Sequence, residues 1–139
     1  MSIVNKGTFV KTAQARKNLQ AYLKEEGHQQ HHADHPDHIF GHVFGLARIK
    51  ELIGMIDKHN LEEEDIKKHI AGVRIYHAKS KREGAGASQR DVVIAPITKD
   101  GKDFPEPVHY KGKPTDKGSS KQKFFLTASG PCPNVCGGS

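Results

Sequence analysis

The chain has 139 residues, 35% of them hydrophobic, and its 22 Lys and Arg against 16 Asp and Glu give +6 with His neutral. That is material for a single domain over 1–139 with one modest core. Its longest apolar runs, Val92–Ala95 and Phe124–Leu126, fall far short of the roughly 20 residues of a membrane span, so a protein spanning by an apolar helix is excluded, as are a coiled coil and a collagen.

Residues 12–26 predict a helix, because Ala15, Leu19, Tyr22 and Leu23 recur at helical spacing and Gly27 can end it. Residues 28–38 form a polar connector holding His28, His31, His32, His35 and His38. Pro36 suits a first helical turn, so a second helix is expected from about 36 to 58. On it Ile39, Val43, Leu46, Ile49, Ile53 and Ile56 fall on one face, and Phe40, Phe44 and Met55 on another. Asn60 can cap a third helix over 61–71, with Gly72 as its stop.

The second half changes character. Val73–Lys79 and Asp91–Thr98 predict strands on either side of a Gly-rich loop over 81–89, with Pro96 suggesting an edge or a bulge. Asp100-Gly101 signals a tight turn. A loop over 104–121 with a short strand near 108–110, then a strand over 123–128, complete the order. Helices followed by strands indicate an α+β chain: two to three N-terminal helices, then a small antiparallel sheet of three to four strands. The organisation is a helical half over 12–71, a β half over 72–128 with basic loops, and a Cys-containing tail over 129–139.

The His cluster carries the most chemistry. Neutral imidazoles and thiolates suit a Zn-class ion. His38 and His42, on one side of a helix, would join Cys132 and Cys136 if the tail folds back, with His31 and His35 as further donors. A disulfide between Cys132 and Cys136 is the alternative use of the thiols. Otherwise no cofactor is expected. The bases concentrate in 79–123, eleven against six acids. Lys79, Lys81, Arg82 and Arg90 would offer an acidic surface or a nucleic acid a weak footing, but the bases are scattered among Gly and Pro with few aromatics between them. Neither Gly84–Gln89 nor Gly112–Thr115 completes a nucleotide-binding motif, and no set of residues argues for an enzyme. The first residues lack a segment of signal-peptide length, which makes the cytoplasm the default expectation.

His42-Val43-Phe44-Gly45 on a helix, Gly72-Val73-Arg74-Ile75-Tyr76 opening a strand and Cys132-Pro133-Asn134-Val135-Cys136 closing the chain together resemble a group of small bacterial proteins with no known activity. The resemblance spans about residues 35–136 and implies a small bacterial α+β protein; it implies no site. The resulting expectation is a non-enzymatic structural or interaction protein that forms a homo-oligomer through Phe40, Phe44 and Met55. Zn-class metal binding is the alternative, and nucleic-acid binding through 79–123 a further one.

Overall fold

Asn60 reaches across ten residues to hold Ile70 by both of its backbone groups. Its Oδ1 accepts from Ile70 N at 2.8 Å and its Nδ2 donates to Ile70 O at 2.9 Å. That double bond fixes where helix gives way to sheet in the computed structural model, which describes residues 2–25, 41–80, 89–108, 123–127 and 129–132. The fold is α+β. Helices α1 (Thr12–Glu25) and α2 (Leu46–Glu62) accompany strands β1 (Gly41–Val43), β2 (Ile70–Ser80), β3 (Gln89–Thr98) and β4 (Gly130–Cys132). Short 3-10 turns lie at Ile3–Asn5 and Ile66–Lys68. Among the described residues the strands form two antiparallel pairs, β1 with β4 and β2 with β3. No described helix is long and apolar enough to cross a membrane.

The chain divides into two compact units, Met1–Lys6 with Phe44–Ala128, and Gly7–Val43 with Ser129–Ser139. The core of the first comprises Leu52, Ile70, Val92, Ile94, Ala95, Ile97 and Phe124. β3 is buried from Asp91 to Thr98 apart from the half-buried Val93, as its unbroken apolar run requires. The rings of His59, Phe104 and Phe124 pack α2 against it, with His59 and Phe104 centred 4.3 Å apart and Phe104 and Phe124 edge-to-face at 5.6 Å.

The helix predicted over 36–58 is corrected. Residues 41–43 are strand, and the helix begins at Leu46 after Gly45. Phe44 therefore precedes α2, and Phe40 lies outside the described residues. The core-facing stripe also shifts: Leu52 is buried, whereas Leu46 and Ile53 are 68% and 51% exposed. The apolar spacing of 39–56 is helical, but β1 takes its partner from a tail almost ninety residues away, which no local periodicity records.

The third helix is absent: α2 runs to Glu62, and Asp65 caps only the turn Ile66–Lys68 by accepting from Lys67 N at 3.0 Å. Asn60 is no cap but the clasp on Ile70. Asn60→Ala should lower unfolding free energy by about 2 kcal/mol in a denaturant melt, because it strips two partners from the backbone of a buried residue.

Gly72 is likewise within β2 rather than a helix stop. A Cβ there would stand 3.0 Å from Ile3 Cγ2, so the N-terminal turn needs glycine to lie this close to the strand. The expected strand over 123–128 reduces to one bridge, Ile94 with Leu126. The short strand near 108–110 falls mostly outside the described residues, and Val108 itself is a bend.

Pro96 faces the outer edge of the two-stranded β2–β3 pair and is not in a bulge. β3 pairs with β2 on one side and bridges Leu126 and Asp103 on the other. In an antiparallel pair, alternate residues turn both backbone groups away from the partner. Ile94 exchanges bonds with Leu126, and Pro96 O accepts from Phe104 N at 2.9 Å, so positions 94 and 96 face away from β2. The N–H that proline lacks is therefore not one the β2–β3 ladder uses.

Candidate functional site

Of the residues expected to hold a metal, His42 and Cys132 are among the described ones. β1 and β4 pair with Gly41 opposite Cys132 and His42 opposite Pro131, so the tail does return to His42. It returns to a strand and not to the expected helix. His38, His31, His35 and Cys136 lie outside the described residues, and with Cys136 the proposed disulfide. Among the described residues no three His, Cys, Asp or Glu side chains gather to hold an ion.

His42 instead meets a hydroxyl. Its Nδ1 lies 2.8 Å from Ser129 Oγ, and Ser129 is 3% exposed. A Ser–His contact is the beginning of a nucleophile and its base, but burial closes this hydroxyl to a substrate. The contact ties β1 to the residue that leads into β4. Their separation of 87 positions leaves no spacing to read.

Of the residues expected at a subunit contact, Phe44 and Met55 are among the described ones. Phe44 is half-buried ahead of α2. Met55, also half-buried, lines a hollow with Leu52, Phe124, Phe125 and Leu126, so α2 turns it toward its own unit. That hollow, about 160 Å³, is below the roughly 300 Å³ at which pockets for drug-sized ligands begin. Of the basic group, Lys79 and Arg90 are cross-strand partners at the end of the β2–β3 pair that leads into residues 81–88; Lys81 and Arg82 are outside the described residues.

The densest polar cluster was not anticipated. Asp103, its side chain 5% exposed, accepts from Tyr76 Oη at 2.9 and 2.8 Å, from Arg74 Nη1 at 3.2 Å and from Val108 N at 3.1 Å. Arg74 also donates to Tyr76 Oη at 3.1 Å and to Gly101 O at 2.8 Å. The hydrogen bond to Tyr76 raises the Arg74 guanidinium pKa above its ordinary value, burial opposes, and the charges of Tyr76 and Asp103 add to the rise. The turn that Gly101 makes at φ +81° brings Asp103 back beneath β2. The available signal was Arg74 and Tyr76 two apart on one strand face, with an acid just after the Asp100-Gly101 turn. The cluster satisfies its own groups and acts as a clamp.

What remains without cover is apolar. None of the fourteen residues of α1 is buried. Leu19 and Tyr22 are 44% and 43% exposed, and Phe9, just before the helix, is fully exposed. On β2, Val73 and Ile75 stand exposed at 46% and 61%.

No family model, no curated protein and no solved structure matches the chain.

Proposed function

We propose that the chain is a non-enzymatic structural or interaction protein that self-associates into a homo-oligomeric assembly, with α1 as a principal contact. One observation carries the reading: α1 is a fourteen-residue helix with no buried residue. Isolated helices of this length are marginal in water, and most helical stability in proteins comes from packing an apolar face. Ala15, Leu19, Tyr22 and Leu23 supply such a face. Phe9 and Val10 lengthen the apolar sequence leading into it, and covering a fully exposed Phe9 would contribute roughly 1.5–3 kcal/mol. The other copy provides that cover. The surface differs from the Phe40, Phe44 and Met55 face expected from sequence, because α2 begins too late to carry the first two.

Leu19→Glu with Tyr22→Glu should lower the native mass in light scattering and reduce the helical circular dichroism signal by about the share of α1. Unchanged mass in that variant, with the two glutamates accommodated, would refute α1 as the contact.

A further inference from the structure

The second open surface is the outer edge of β2. Val73 pairs with Pro96 and Ile75 with Ile94, the two β3 positions whose backbone groups turn away from β2. Opposite partners in an antiparallel ladder behave alike. Val73, Ile75, His77 and Lys79 therefore turn their own N–H and C=O groups away from β3, while Gly72, Arg74, Tyr76 and Ala78 hold the ladder. At Ile70 the corresponding groups are taken by Asn60. From Val73 to Lys79, β2 has no other strand partner among the described residues. The same four residues put their side chains on the exposed face. An uncovered edge of this length is a template for another strand.

We propose that β2 of a second copy occupies this edge, antiparallel across a two-fold axis at Tyr76, so that β3-β2-β2-β3 runs as one four-stranded sheet. The proposal rests on the self-association reading but uses a surface separate from α1. Charge and register select the occupant. An antiparallel copy centred on Tyr76 matches all four open positions, Val73 with Lys79 and Ile75 with His77, each read twice. Arg74 then faces Ala78, and Tyr76 faces its twin, an aromatic pair that sheets favour. No base stands opposite a base. Sliding the partner two residues one way leaves Lys79 unmatched; two residues the other way leaves Val73 unmatched and sets His77 against His77. Two-fold pairing of one patch with itself is also the commonest way that identical chains close an interface.

The alternation supplies the test. Ile75→Pro removes an outward N–H and no bond of the β2–β3 ladder, as Pro96 does on β3. In the full-length chain it should halve the native mass while leaving the β signal and the melt nearly unchanged. Combined with Leu19→Glu and Tyr22→Glu it should give the 15.3 kDa single chain. Register is read by cysteines in a chain carrying Cys132→Ala and Cys136→Ala. Ile75→Cys with His77→Cys should cross-link two chains on mild oxidation about fivefold more than Ile75→Cys alone, because directly opposite positions fit a disulfide and diagonal ones are ~7–8 Å apart. A folded Ile75→Pro chain of unchanged mass overturns the proposal and leaves the α1 reading standing. If that chain does not fold, absence of the double-cysteine cross-link overturns it equally. Pairing of β2 with some other acidic strand would appear as that same missing cross-link.

Discussion

Asp103→Ala is expected to lower the unfolding free energy by about 3 kcal/mol, because it removes the buried acceptor that three donors share and leaves Arg74 Nη1 only Tyr76 Oη. Tyr76 Oη, Arg74 Nη1 and Val108 N all converge on this carboxylate. The cost is asymmetric. Arg74→Ala should cost only about 1 kcal/mol, since the guanidinium is 40% exposed and water can replace it while Tyr76 and Val108 still satisfy Asp103. Asp103→Asn keeps the shape and an acceptor oxygen and should fall between the two. Denaturant melts of the three variants, read at constant slope, decide this. A loss below about 1 kcal/mol for Asp103→Ala would mean that the clamp does not hold the turn to the sheet.

Leu52→Ala is expected to cost a similar amount, about 3 kcal/mol, by a different route. Leu52 is the one buried residue of α2, at 7% exposure, and it meets Phe124, Phe125 and Leu126 across the hollow that Met55 also lines. Truncation enlarges a hollow that already stands beside Leu52, with Phe124 fixed on its far side by packing against Phe104, so collapse would recover little. Against the ordinary 5–15 kcal/mol of total stability, the midpoint should fall by roughly 10 °C. Leu46→Ala, on the same helix but 68% exposed, should move it hardly at all. Equal shifts for the two would show that the buried stripe has been placed on the wrong face.

Local physics was readable where the elements are local. The recurrence of Leu19, Tyr22 and Leu23 marks α1, the run from Val92 to Ile97 marks β3, and Asp100-Gly101 marks the turn that follows it. The α+β class follows from the order of those signals. What depends on distant partners was hidden. β1 is three residues that become a strand only because 130–132 come alongside, and with that residues 41–45 leave the expected helix. Asn60 looked like a cap because asparagine often is one, whereas Ile70 turns out to be its partner. Gly72 looked like a helix stop because glycine ends helices, yet the reason for it here is Ile3 lying against the strand.

The candidate surfaces divide the same way. Periodicity located the apolar stripe of α1 but could not tell that none of its fourteen residues is buried. The alternation in β2 was visible, but which of its residues face outward is set by the bonds of Ile94 to Leu126 and of Pro96 to Phe104 on the neighbouring strand. The His and Cys residues stand out by composition, whereas the return of the tail to His42 rests on pairing between strands at opposite ends of the chain.

The native mass of the unmodified chain at tens of micromolar, measured by light scattering with and without chelator and reductant, tests self-association most directly. A mass that is a multiple of 15.3 kDa and indifferent to both additives is the expected result. A single 15.3 kDa species under all conditions would contradict it, and a multimer that falls apart on chelation would transfer the assembly to a metal ion.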